Sequence, residues 1–188
     1  MTRVKMELKQ SVYIIGEGLT EKHYFCNLKD LKNYSYIVRP RFFTKNSIDQ
    51  IQKLTKELLA GDVKVICVFD ADVSQRNKAE KEKLNGFIKK YKDNGNVIIC
   101  DSLPSIEFWF LIHYVQRNRH YSSYSELKKE LLKYIESYDK TEKFLKKREW
   151  VQELVKRLNI AVDYASKLNP DEGSYSNIYK AIQFLEKY

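Results

Sequence analysis

The chain is poor in residues that staple, kink or break a backbone: 188 residues hold three cysteines, three prolines and six glycines. Cys26, Cys67 and Cys100 are odd in number, widely spaced and form no CxxC pair. That pattern argues against a disulfide framework or a zinc site, and for buried free thiols in a reduced, cytoplasmic compartment. No internal repeat, low-complexity tract or Gly/Ser linker interrupts the sequence. Long hydrophobic runs are missing too. The longest, Phe108 to Ile112 continuing past His113, is far too short to span a bilayer. The opening Met-Thr-Arg-Val-Lys is not followed by an apolar stretch of signal-peptide type, so no membrane association is expected. Acidic residues are in deficit, 25 against 34 basic, for a net charge of +9.

What is present is core material. A hydrophobic fraction of 43% with 13% aromatics excludes a disordered chain. A chain of this length suits one domain, or a domain with an appendage, and buries roughly 70% of its unfolded surface. Apolar runs rich in β-branched and aromatic residues read as buried strands: Val12–Ile15, Tyr34–Phe43, Val65–Phe69 and Asn96–Cys100. Helical patterns alternate with them: one from Thr20 as cap to about Asp30, one from Ser47 to Leu59 ended by Gly61, and a Lys-rich one over about 75–92. This β-α-β-α-β-α-β order predicts a parallel sheet of about four strands with right-handed crossovers, flanked by helices. After Pro104 the character changes to helix: 105–115, 124–137, about 141–167 and 174–187. The expected organisation is an α/β domain over 1–115 with a helical extension over 116–188 packed on it.

Ligands of parallel α/β sheets bind beyond the carboxyl ends of the strands. Two acidic clusters fall at such ends, Gly16-Glu17-Gly18 after the first strand and Asp70-Ala71-Asp72 after the third. Glu17, Asp70 and Asp72 are therefore expected on one rim. Crowded carboxylates repel one another unless a cation lies between them, and an all-oxygen set selects a hard ion such as Mg2+ or Mn2+. Glu21 is a further candidate ligand, although an acid in the first turn of a helix also complements its dipole. Glu107 interrupts the apolar run Ile106–Ile112 just past the fourth strand. It reads either as another rim carboxylate or as a helix-start glutamate after a Ser105 cap. Glu17 can equally be a solvated loop residue. His113 lies about 240° round the helix from Glu107, so a core histidine fits it better than a base.

The charge balance points the same way without deciding it. Residues 1–115 carry 19 basic and 14 acidic side chains, and the remainder 15 and 11. If five of those 14 acids gather at one rim, the rest of that surface is markedly basic. Basic surroundings of an acidic metal pocket suit a phosphodiester substrate, and a basic surface also serves solubility alone.

Three segments carry a resemblance to a known family. Gly16-Glu17-Gly18-Leu19-Thr20-Glu21-Lys22-His23-Tyr24-Phe25 is similar to the EGxxTExxYF opening of the RloB-like family, and Phe69-Asp70-Ala71-Asp72 to its FDxD strand end. Ser102–Tyr114 resembles its SNPxFExWxLLHF segment, with Leu103 for the usual Asn and Ile106 for the usual Phe. Tyr138-Asp139-Lys140 and the closing Ser174–Tyr188 helix fit its tail. Members are TOPRIM-type proteins found beside bacterial restriction and phage-defence genes. The resemblance implies a TOPRIM-like core in which Glu17, Asp70 and Asp72 bind Mg2+ or Mn2+. It implies metal-dependent phosphodiester cleavage, since 188 residues leave little room for the added domains of topoisomerases and primases. Lys140 would help neutralise charge, and Arg39, Arg41 and Lys140 are the basic candidates for contacting DNA or RNA. A partner ATPase or restriction complex is a further expected partner. The non-enzymatic alternative is a nucleic-acid- or partner-binding subunit whose site is regulatory or inactive. Phe69–Ser74 also superficially fits a haloacid-dehalogenase phosphatase motif, but that family carries it after the first core strand.

Overall fold

The computed structural model describes residues 10–40, 48–72, 78–117 and 119–188. Its centre is a sheet in the order β2-β1-β3-β4-β5, formed by β1 (Ser11–Gly16), β2 (Ile37–Pro40), β3 (Val63–Asp70), β4 (Val97–Leu103) and β5 (Tyr175–Ser176). The first four run parallel, as the alternation of strand and helix requires, and β5 is antiparallel to β4. Nine helices lie among the described residues: α1 (Leu19–Lys32), α2 (Ile48–Leu58), α3 (Lys78–Tyr91), α4 (Ile106–Leu111), α5 (Tyr124–Leu131), α6 (Glu142–Leu145), α7 (Glu149–Val155), α8 (Leu158–Ser166) and α9 (Ile178–Leu185).

Side chains on a strand alternate between faces, and β3 divides its payload accordingly. Val65, Cys67 and Phe69 join Ile15 in a core closed by Ile48 and Ile51 of α2 and Leu84, Phe87 and Tyr91 of α3. Ile66 and Val68 join Val12, Ile14 and Cys100 on the other face, beneath α1, α4 and the helices that follow. That larger core is one cluster whose members range from Val12 to Leu185. Its centre is Trp109 of α4, fully buried, whose indole N–H donates to Tyr24 Oη at 2.7 Å. Both sheet faces are therefore covered, which is why the strands read as continuous apolar runs.

Several expectations need correction. The tail contributes a fifth strand, so 174–187 is not one helix: Tyr175 and Ser176 pair with Leu103 and Ser102 before α9 begins. β4 runs past Cys100 through Asp101 and Ser102, polar residues bonded to the tail: Tyr175 Oη–H and Asn177 Nδ2–H both donate to the Asp101 carboxylate, and Ser102 Oγ meets Ser176 Oγ at 2.8 Å. The stretch 141–167 divides into α6, α7 and α8, and Ser137 adopts a left-handed φ of 58° beyond the end of α5. At the start of α1 the capping residue is Gly18, not Thr20. The part of the second strand beyond Pro40, and the Ser47 cap, lie outside the described residues. All three cysteines are free, and burial pushes the Cys67 thiol up to about 12. Among the described residues no helix is long and apolar enough to cross a membrane.

Candidate functional site

Parallel pairing in register sets the ends of β1 and β3 side by side, Gly16 opposite Val68. The residues that follow open a cleft of about 280 Å³ lined by Glu17, Gly18, Leu19, Thr20, Glu21, Asp70 and Lys140. The glycine before Glu17 is a steric necessity: a Cβ at Gly16 would stand 2.6 Å from Glu21 Cβ. Glu21, buried in the first turn of α1, accepts a hydrogen bond from the Gly18 N–H at 3.0 Å, so the helix-start reading of this residue holds while its side chain still lines the cleft. Asp70, at the end of β3, accepts from the Ile106 N–H at 2.9 Å, which ties it to the first residue of α4. Beyond it the Ala71 N–H donates to Ser102 O at 2.8 Å and leads to Asp72, half-buried.

The charges of these groups act on one another. Burial first, then Glu21 and Asp72, push the Glu17 carboxyl up to about 8, against the backbone at Asp70. Burial, with Glu21, Glu107 and Glu17 adding, drives Asp70 well above the usual carboxylate range, and Lys140 pulls the other way. Burial likewise raises Glu21, against its own backbone N–H, with Glu107 adding and Lys140 and the Gly18 N–H opposing. Burial, and then the neighbouring carboxylates, thus favour the protonated forms of these acids, with Lys140 opposing at Asp70 and Glu21.

Glu107 is fully buried, at 0% exposure, and its carboxylate is occupied. Oε1 accepts from Tyr138 Oη at 2.8 Å and faces Lys140 Nζ at 2.9 Å; Oε2 accepts from Ser105 Oγ at 2.6 Å. Burial works against the Lys140 charge, but the charge and hydrogen bond of Glu107, with Asp70, outweigh it and raise its pKa. The Lys140 ammonium also sits 4.0 Å from the centre of the Tyr124 ring. The sequence marks Ser105 only as a helix cap and Tyr138 only as part of the tail motif, and does not single out Tyr124; nothing in the spacing of Glu107 to Tyr138 signals their contact.

The other sequence candidates stand apart. Arg39 is exposed on the edge strand β2, its guanidinium 5.7 Å from the centre of the Tyr13 ring, and it does not line the cleft. Arg41 lies outside the described residues. His113 is a core residue, its Nδ1 2.8 Å from Trp109 O and its pKa pushed down by burial to about 4; its Nε2 has no hydrogen-bond partner among the described residues.

The donor set suits a hard divalent ion in chemistry, since the cleft acids offer carboxylate oxygens and no sulfur or imidazole. Among the described residues no group of three or more His, Cys, Asp or Glu side chains is already drawn together to hold a metal ion. Of the three strand-end acids, Glu17 and Asp70 line the cleft, and Asp72 follows two residues beyond Asp70.

No curated protein and no solved structure matches the chain. A family model described as RloB-like protein matches residues 12–185, a span that takes in every cleft acid, Glu107 and Lys140 in the order the motifs require. The chain belongs to the RloB-like family.

Proposed function

We propose that this protein is a Mg2+- or Mn2+-dependent nuclease of prokaryotic defence, with a TOPRIM-like site at the β1–β3 rim. The observation that carries the reading is a cleft in which Glu17 and Asp70 are raised by burial and by neighbouring carboxylates, and which Lys140 also lines. Glu17, Asp70 and Asp72 would hold the cation. A bound divalent ion supplies Lewis-acid polarisation of the scissile phosphate and a lowered pKa for the attacking water. Lys140, kept charged by Glu107, would meet the phosphate in the cleft and offset the charge that builds on it. Glu21 accepts the Gly18 N–H and lines the cleft beside Glu17 and Asp70. The basic surface of the remaining chain, +9 overall, holds the rest of the polyanion, and a partner ATPase or restriction complex would direct it to its target.

A second reading, a nucleic-acid- or partner-binding subunit with a regulatory or inactive cleft, draws on the lack of a preassembled cage among the described residues. The two separate in one assay. Purified protein is mixed with labelled DNA duplex, single-stranded DNA, RNA and tRNA, with Mn2+ or with EDTA. A nuclease cuts one of them with Mn2+ and not with EDTA, and Asp70→Asn abolishes cutting. A binding subunit retains the nucleic acid in EDTA and leaves every substrate whole.

A further inference from the structure

The turn that opens α4 does two things within three residues. Its Ile106 N–H fixes Asp70 at 2.9 Å, and its Glu107 fixes Lys140 at 2.9 Å. An acid and a base that line the cleft, Asp70 and Lys140, are therefore both held from one short segment. Glu107 is already engaged on both oxygens. Of the roughly four lone-pair sites of a carboxylate, three are taken by Ser105, Tyr138 and Lys140, and the side chain is closed off from solvent. Lys140, by contrast, is 42% exposed at its side chain and lines the cleft. A long flexible ammonium in that position would sample many rotamers if nothing held it. Here it is held on two sides, by the Glu107 carboxylate and by the Tyr124 ring.

We infer that Glu107 is a positioning residue and not a metal ligand: anchored by Ser105 and Tyr138, it fixes Lys140 as the cleft's contact for a nucleic-acid phosphate. The inference rests on the cleft being where the phosphodiester binds, as proposed above. It departs from the expectation that Glu107 belongs to the ligand set: two of its three partners, Tyr138 and Lys140, come from the tail and meet it in the first turn of α4. The tail thus completes the site.

The test is a double-mutant cycle with two readouts that need no cleavage. Glu107→Gln keeps volume and partners for Ser105 and Tyr138 but removes the charge opposite Lys140; Lys140→Ala removes the phosphate contact. Mn2+ affinity is measured by calorimetry, and affinity for a labelled DNA duplex and an RNA hairpin by anisotropy over a range of salt, in EDTA. The expected result is Mn2+ affinity within about twofold of wild type for Glu107→Gln, but a several-fold loss of nucleic-acid affinity. Lys140→Ala should lose more and lower the salt slope by about one, the signature of one phosphate contact. Adding Glu107→Gln to Lys140→Ala should then cost nothing further. A Mn2+ affinity reduced tenfold or more by Glu107→Gln overturns the inference, and so do losses of nucleic-acid affinity that add independently. Should Glu107→Gln fail to fold, Tyr138→Phe, which removes one anchor and keeps the ring, takes its place in the same cycle with the same criteria. A wild type that cuts nothing, yet shows this coupling, would sink the nuclease reading and leave the Glu107–Lys140 inference standing.

Discussion

Replacing Glu17 by Gln should make the metal-free protein more stable, and the gain should grow with pH. In the fold its carboxyl titrates at about 8 against an ordinary value of 4.5, chiefly through burial and the neighbouring charges of Glu21 and Asp72. Between those values the folded protein holds a proton that the unfolded chain has released, so unfolding is accompanied by proton loss. Stability must then fall as pH rises from about 4.5 towards 8, the opposite of a salt-bridged carboxylate. Each pH step across the window is worth at most about 1.4 kcal/mol. Because Glu17 is only half-buried, hydration and side-chain rotation should reduce the full effect to roughly 2 kcal/mol. For a domain of this size that is about 4–8 °C in Tm. Thermal melts of wild type and Glu17→Gln in EDTA, from pH 5 to 8, measure it. The comparison must be the difference between the two proteins, because relief of net positive charge on raising the pH stabilises both. Near pH 5 the melts should differ little; near pH 8 the variant should melt higher. Adding Mn2+ at pH 8 should raise wild type, by up to about 3 kcal/mol at a hundredfold excess over Kd, and raise the variant less. A Glu17→Gln protein that melts lower than wild type at pH 8 without metal would refute the reasoning.

Other outcomes follow from the same geometry. Asp70→Asn should retain the Ile106 N–H bond through its amide oxygen and fold normally, lose at least about a thousandfold in Mn2+-dependent cleavage rate, and keep nucleic-acid affinity, all readable from gels and anisotropy. Gly16→Ala forces a Cβ to within 2.6 Å of Glu21 Cβ, so urea unfolding should show a loss of about 1–3 kcal/mol and Mn2+ binding should weaken with it. Trp109→Ala empties the centre of the larger core and strands the Tyr24 hydroxyl; about 3–5 kcal/mol should be lost in the same unfolding assay.

Much of the fold was legible because β1, β3 and the first part of β4 are apolar on both faces and alternate with helices, a pattern that admits few topologies. Strand-end acids were legible for the same reason: once β1 and β3 are parallel neighbours, Glu17 and Asp70 must share a rim. The polar end of β4 was not legible, because Asp101 and Ser102 satisfy themselves on Tyr175, Ser176 and Asn177, partners more than seventy residues away. A two-residue strand carries no periodicity, so β5 passed for part of a helix. The splitting of 141–167 was hidden similarly, since no proline or glycine marks the turns at Lys146 and Lys156. At the site, the acids could be listed from sequence but not ranked. Glu107 reads either as a rim carboxylate or as a helix-start residue, and nothing in the sequence points to Tyr138 and Lys140, which with Ser105 bond its oxygens.

The most direct measurement is a crystal structure grown with Mn2+, with anomalous data collected at the manganese edge. The expected map has an anomalous peak in the cleft, ligated by Glu17, Asp70 and Asp72, with Glu107 still bonded to Ser105, Tyr138 and Lys140. A cleft without a peak at saturating Mn2+, or a peak held by Glu107 with Lys140 displaced, would contradict it.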